Sequence, residues 1–340
     1  MPRMTDYKSA SCIKRYNGGL PVLDSSMVPY DACLVFNAGV AKYKDEYLML
    51  FRDDYGYDAG PSRFMGGNKF RGTYLGFARS KDGLSWKCDQ SPFWSAEMLG
   101  DSEIFRIYDP RLIVIEEELY LCFAADTYHG LRGGIGKISS DLQNVEIISL
   151  SLPDNRNMVL FSEKINGNYV RLERPMPVYS HDGIDRFDIW ISDSDDLKYW
   201  GNSRLLLGVE KVPFANDKIG PAAPPIKTDM GWLTLFHAVQ KDKSRGKNGW
   251  EDKWQKCYTT GVMLLDKNDP GKIIGLSKEP LIAPETEVET DMGFRTNVIF
   301  PGGLIAENDG TVKIYYGASD SVECLAISTV KELLDLCKPI

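Results

Sequence analysis

Short apolar runs, broken by Gly, Asp, Asn and Pro, recur along nearly the whole chain, and a 3.6-residue period is scarce. Only residues 330–337 carry a helical pattern, which predicts a short C-terminal helix. The runs come in pairs: 47–52 with 74–79, 120–125 with 134–138, 169–174 with 187–192, 232–237 with 261–266, and 312–317 with 324–328. Three of the pairs close on a polar turn rich in Ser and Asp, as in Ser80-Lys-Asp-Gly and Asp193-Ser-Asp-Asp. A repeated unit of this kind cannot bury both faces alone, so neighbours must stack around an axis. The pattern predicts an all-β chain, a five-bladed β-propeller of four-stranded blades with a short C-terminal helix. A β-sandwich with long loops is the alternative, but it supplies no reason for the pair to recur five times. No Ser/Gly-rich linker divides the chain, so residues 1–340 read as a single domain.

In that frame, the first strand of several pairs ends in a polar residue that would lie near the axis: Arg52, Arg174 and His237. The insertions at 53–72 and 240–255 would wall a pocket there. Composition then narrows the chemistry. The 17 Tyr and 7 Trp suit strands and also sugar sites, where a flat apolar face and a polar edge are both useful. A net charge of −8 argues against a nucleic-acid surface, and any anion bound here must be held by a local concentration of cations. The seven cysteines are scattered with no C-x-x-C, which reads as packing residues in a reducing compartment. Neither a signal-peptide pattern nor a run of about 20 apolar residues is seen. The expectation is a cytoplasmic protein with no membrane and no nucleic-acid partner.

Seven segments, in order, carry a resemblance. They include Phe36-Asn-Ala-Gly-Val-Ala-Lys-Tyr43, Tyr108-Asp-Pro-Arg-Leu112, Asp154-Asn-Arg-Asn-Met158, the Arg171-Leu-Glu-Arg-Pro175 end of a longer segment, Lys218-Ile-Gly-Pro221, Gly231-Trp-Leu-Thr-Leu-Phe-His237 and Asn297-Val-Ile-Phe-Pro-Gly-Gly303. Together they resemble glycoside hydrolase family 130, β-mannoside phosphorylases and a few hydrolases on a five-bladed propeller. The Tyr108-Asp-Pro-Arg111 form resembles the branch acting on β-1,4-mannooligosaccharides. The resemblance implies inverting phosphorolysis of β-1,4-mannosides (mannooligosaccharides or mannosyl-N-acetylglucosamine). The products would be α-mannose 1-phosphate and a shortened sugar. Inorganic phosphate would be a co-substrate, with no cofactor and no metal, and a homo-oligomer is expected.

An inverting hydrolase needs two carboxyls, an acid and a base for water. A phosphorylase needs only the acid, because phosphate is itself the anionic nucleophile, but it needs cations to hold that anion. By resemblance Asp109 is the acid, passing its proton through the mannose 3-hydroxyl, and burial is expected to raise its pKa so that it is protonated near neutral pH. Read alone, Asp109 would be a turn residue ahead of Pro110. The phosphate set implied by the resemblance is Arg156, Asn157, Arg174 and His237, with Tyr258 as a further hydroxyl donor. Read alone, Arg174 would be a surface residue and His237 a packing residue. Asn37, Arg52, Arg63, Lys218 and Asp320 are assigned to the mannose subsite, Tyr108 to the pocket wall beside the acid, and Met65 to the acceptor side. Tyr258-Thr-Thr-Gly261 departs from many relatives outside the branch, which carry Arg after the Tyr; if that Arg helps bind phosphate in them, this site is weaker by one cation. His129 sits in a loop that could reach the acceptor sugar, whereas His181 has a weaker claim. Two other functions fit the same residues: an inverting β-mannosidase and a sugar-binding propeller without catalysis.

Overall fold

The strand sequences read as continuous apolar runs because both faces of each sheet are covered. In Tyr47-Leu-Met-Leu-Phe51, Leu48 and Leu50 enter one buried cluster while Tyr47, Met49 and Phe51 enter another. In Trp232-Leu-Thr-Leu-Phe236 the pattern repeats, with Trp232 and Phe236 on one side and Leu233 and Leu235 on the other. The computed structural model describes residues 7–57, 70–177, 181–242 and 254–340.

Twenty-one strands are found among these residues. In chain order the first five are β1 (Lys14–Arg15), β2 (Leu34–Tyr43), β3 (Glu46–Tyr57), β4 (Phe70–Ser80) and β5 (Lys87–Cys88). A second group holds β6 (Ile104–Ile115), β7 (Glu118–Thr127), β8 (Gly130–Ile138) and β9 (Val145–Leu150). The third is β10 (Asn155–Leu160), β11 (Tyr169–Pro175), β12 (Ile189–Ser194) and β13 (Gly201–Leu207). The fourth is β14 (Lys218–Pro221), β15 (Ile226–Thr228), β16 (Gly231–Lys241), β17 (Lys256–Leu265) and β18 (Ile273–Leu276). The last is β19 (Ile299–Ala306), β20 (Thr311–Ala318) and β21 (Val322–Thr329). A short helix α1 (Glu287–Thr290) precedes β19, and α2 (Val330–Leu336) is the expected C-terminal helix. Among the described residues no helix is long and apolar enough to cross a membrane. All seven cysteines are free, and four of them are buried.

The fold is all-β, but its hydrogen bonding differs from five separate four-stranded sheets. Four sheets form, because β2–β5 and β19–β21 with β1 are joined into one eight-stranded sheet through a single parallel bridge, Gly303↔Val40. Each paired run from the sequence is present as a hairpin, yet each is preceded by another strand that the apolar pattern did not reveal: β2, β6, β10, β14 and β19. β6, β10, β14 and β19 begin their groups, and β2 follows only the two-residue β1. Four of the five are broken by register shifts, at Phe36/Gly39, Tyr108/Arg111, Arg156/Val159 and Pro301/Gly303. Five buried clusters lie between consecutive groups, and the last, with Phe51 and Met49 against Tyr315 and Leu325, returns to the first.

Close approach of the inner strands demands glycine. A Cβ on Gly39 would lie 2.8 Å from the carbonyl oxygen of Pro110, and one on Gly302 would lie 2.0 Å from that of Ala38. The N-terminus is fastened to the C-terminal sheet. β1 pairs with β21, and the Arg15 guanidinium donates to Glu289 at 2.8 and 3.0 Å. Glu289 is fully buried and also accepts from the Tyr316 hydroxyl and the Thr286 amide. Glu289→Ala would strand these buried donors and leave Arg15 only the part-exposed Glu285 as a carboxylate partner. It is expected to lower stability by about 3–5 kcal/mol, read as a fall in the urea midpoint.

Candidate active site

The register shifts in the inner strands place polar residues where a regular ladder would hide them. Asn37, Asp109 and Asn157 each sit at a shift with φ of +52°, +52° and +57°. The left-handed region is disfavoured for residues with a Cβ, and Asn and Asp are among the few that enter it readily. At Asp109 the following Pro110 has no N–H to contribute, so the ladder is already interrupted there. The three bulged strands come from different groups and converge on one cavity of about 120 Å³. Arg52, Arg156, Arg174, Lys218, His237, Tyr258, Arg295 and Asp320 line it with them.

Asp109 is buried and holds three side-chain donors. Its Oδ1 accepts from Asn37 Nδ2 at 3.0 Å and from Arg52 Nη1 at 3.2 Å, and its Oδ2 from Arg156 Nη2 at 2.7 Å. Burial would push the carboxyl up, but the charges of Arg52, Arg156 and Arg111 and the Asn37 bond outweigh it. Asp109 is held well below the usual carboxylate range. This corrects the expectation that burial keeps it protonated, because the cations gathered for an anion also surround the acid. Arg52 is fixed from behind by Asp54, to which Nε and Nη2 donate at 3.1 and 2.5 Å. Asp54 also takes Arg106 Nη2 at 3.1 Å and the Thr73 hydroxyl at 2.6 Å.

Across the cavity, Arg174 Nη1 lies 3.1 Å and Asn157 Nδ2 3.4 Å from His237 Nε2. Arginine can only donate, so Nε2 accepts and the imidazole is neutral with its proton on Nδ1. Burial, followed by the charges of Arg174 and Lys218, holds His237 well below its ordinary value. Arg174 itself is lowered to about 10, by burial and then by Arg156. Two buried atoms here, Arg174 Nε and His237 Nδ1, have no partner among the described residues. Guanidiniums and an ammonium crowded around one small cavity match the needs of a small oxyanion.

Most sequence-predicted residues therefore meet in one place. Lys218 belongs with the cations instead of beside Asp109: its ammonium sits 5.1 Å over the Tyr258 ring, and burial plus Arg174 and Lys256 lower its pKa strongly. Tyr108 is not part of the cavity lining. Its ring underlies the guanidiniums of Arg52, Arg106 and Arg156 at 5.2, 4.4 and 5.3 Å, and its hydroxyl donates to Asp126 at 2.9 Å. His129 is exposed, 3.5 Å from Glu103, and His181 is exposed as well. Arg63 and Met65 lie outside the described residues, as does most of the insertions at 53–72 and 240–255.

Sequence reasoning missed four contributors. Arg295 lines the cavity and pairs with Asp320 at 3.3 Å, but it lies in an irregular stretch before β19 with no periodic signal. Asp54 was legible in principle, because Arg52 and Asp54 are two residues apart on one strand and so share a face. Arg111 reaches the carbonyl of Ala222 at 2.7 Å and adds its charge beneath Asp109. Glu323, fully buried, accepts from the Ala38 amide at 3.1 Å and so steadies the bulge that presents Asn37.

Residues 22–339 match the family profile of glycoside hydrolase family 130, described as beta-1,4-mannooligosaccharide phosphorylase. The chain belongs to glycoside hydrolase family 130. A family 130 relative, the beta-1,4-mannooligosaccharide phosphorylase of Ruminococcus albus, is 32% identical over 346 residues, covering 97% of this chain and 93% of the relative. The beta-1,2-mannobiose phosphorylase of Listeria innocua is 32% identical over 304 residues, covering 86% and 79%. A solved structure of beta-1,2-mannobiose phosphorylase from Listeria innocua, in complex with beta-1,2-mannobiose, superposes with a TM-score of 0.77 at 27% identity, covering 95% of this chain and 98% of that one.

Burial pushes Glu323 up to about 8, against the Ala38 bond and the Arg111 charge. An acid whose folded pKa is raised stabilises fully below its unfolded value of about 4.3, and that stability is lost as pH rises through the folded value. Glu323→Gln keeps an acceptor for Ala38 and never ionises. Relative to wild type it is expected to gain on the order of 3 kcal/mol between pH 5 and pH 9, read from urea midpoints at the two pH values.

Proposed function

We propose that this family 130 chain is an inverting β-1,4-mannoside phosphorylase. It would convert mannooligosaccharides or mannosyl-N-acetylglucosamine with inorganic phosphate into α-mannose 1-phosphate and a shortened sugar. The observation that carries this reading is the carboxyl of Asp109, bonded to Arg156 and facing a crowd of cations within one small cavity whose other carboxylate, Asp320, is paired with Arg295. A phosphate oxygen attacks C1 from the face opposite the leaving sugar as the C1–O bond breaks. Asp109 supplies the proton taken by the leaving oxygen, through the mannose 3-hydroxyl as the family resemblance implies. Arg156, Arg174, Lys218, Asn157 and His237 hold the anion, while Asn37, Arg52 and Asp320 face the sugar. The Tyr108-Asp-Pro-Arg111 form and the match to the β-1,4 description support that linkage over β-1,2.

The architecture we infer is a single-domain five-bladed propeller. Its support is the ring of five buried clusters between consecutive strand groups and the pairing of β1 with β21. A cytoplasmic homo-oligomer completes the reading.

A hydrolase on the same fold would need a base for water. Asp320 is a second carboxylate on the cavity wall, 3.3 Å from Arg295, and is the residue that would serve. Incubation with β-1,4-mannobiose, with and without phosphate, separates the two. The proposal expects α-mannose 1-phosphate in the presence of phosphate and negligible free mannose release in its absence. Equal sugar release in both would overturn it. Asp109→Asn is expected to lower kcat by at least about 10²-fold. Arg174→Ala is expected to raise the KM for phosphate about 10- to 100-fold, the range for losing a charge-assisted hydrogen bond, with a smaller effect on the KM for mannobiose.

A further inference from the structure

The guanidiniums bonded to Asp109 favour its carboxylate form, yet the proposed reaction requires it to give up a proton. The contacts around it suggest how the proton arrives. Arg52 is largely answered by Asp54, which grips it through two bonds and takes Arg106 as well. Arg111, on Asp109's own strand, is spent on the carbonyls of Ala222 and Pro110 and has Glu323 beyond it. Arg156 is different. Among the described residues its carboxylate partner is Asp109, through Nη2, while its Nε donates to Asn157 Oδ1 at 3.0 Å. Asn157 in turn touches His237, so one guanidinium spans from the acid to the anion pocket.

Resting on the phosphorylase reading, we infer that inorganic phosphate arms its own acid: it takes Arg156 as its partner, and Asp109 then binds a proton from solvent. A phosphate dianion offers Arg156 more charge and a matching fork of oxygens than one carboxylate oxygen does. Asp109 then loses its closest counter-ion, the guanidinium at 2.7 Å, and gains a like charge nearby, and both changes favour the neutral acid. The proton goes to Oδ2, the oxygen that Arg156 releases, since Oδ1 keeps Asn37 and Arg52. Of the groups across the cavity, Lys218 and His237 are also poised to gain protons near an anion; Arg174 and Arg295 stay cationic, and Asp320 stays with Arg295.

The steps balance. Asp109 takes one proton from solvent; later that proton passes to the leaving oxygen, which keeps the electron pair of the broken C1–O bond. A phosphate oxygen supplies the pair for the new bond, and Asp109 returns to the carboxylate. Without phosphate the acid stays ionised, so water has no proton donor to work with. This coupling favours phosphorolysis over hydrolysis before any sugar is bound.

Infrared difference spectroscopy of the full chain at neutral pH, with and without inorganic phosphate, tests this, with occupancy followed by calorimetry. Wild type is expected to gain the C=O stretch of a protonated carboxyl in step with phosphate occupancy, and Asp109→Asn to lack it. Asp109→Asn is also expected to bind phosphate about tenfold tighter, since a like charge has been removed. Phosphate bound by wild type without that band overturns the inference and leaves the phosphorylase reading standing, and this result needs no variant. A band of equal size in Asp109→Asn overturns it too, by placing the proton elsewhere. Failure of wild type to bind phosphate overturns the phosphorylase reading itself.

Discussion

Crowding of like charge around one small, largely buried cavity governs this site. Arg52, Arg111, Arg156, Arg174, Lys218 and Arg295 lie in or under one cavity, and in water such a cluster would disperse. Here the strands forbid dispersal, and the cost is offset by the few anions within reach. Asp54 takes two guanidiniums from behind, Asp320 takes Arg295, and Asp109 takes Arg156. Three cationic side chains respond by weakening as bases, Lys218 strongly and Arg111 and Arg174 to about 10. His237 gives up its charge and becomes an acceptor for Arg174.

The same crowding explains the state of the acid. A carboxyl alone in this much apolar surrounding would hold its proton, as Glu323 does at about 8. Asp109 and Glu323 are both buried and lie on either side of Arg111, yet they fall at opposite ends of the carboxyl range. The difference is the number of guanidiniums in contact: Asp109 bonds two, while Glu323 bonds a backbone amide. Local charge, more than burial, sets protonation in this cavity.

Backbone geometry makes the crowding possible. Asn37, Asp109 and Asn157 occupy left-handed bulges in three inner strands, and β2 approaches β6 and β19 too closely for side chains at Gly39 and Gly302. A regular ladder would alternate these residues between two apolar interfaces and strand their polar groups there. The bulge turns each one out of the apolar interfaces toward the shared cavity. The outer strands then need only to be apolar on both faces, which is why five hairpins of near-identical texture surround one polar centre.

The hairpins were legible from the chain alone, because a strand buried on both faces must read as an unbroken apolar run, and every predicted pair is found. So were Asp109, Arg156, Arg174 and His237, whose motifs stand in order along the chain, and the C-terminal helix. The inner strands were not, because Asn, Asp, Pro and Gly at their bulges look like turns to any reading of local pattern. Which residues share the cavity, the membership of Arg295 and Lys218, and the charge on Asp109 were decided only by tertiary structure. Local periodicity reports which faces avoid water. Distances between charges on strands far apart in sequence depend on how the sheets pack against one another, and electrostatic energy in a buried site is set by those distances.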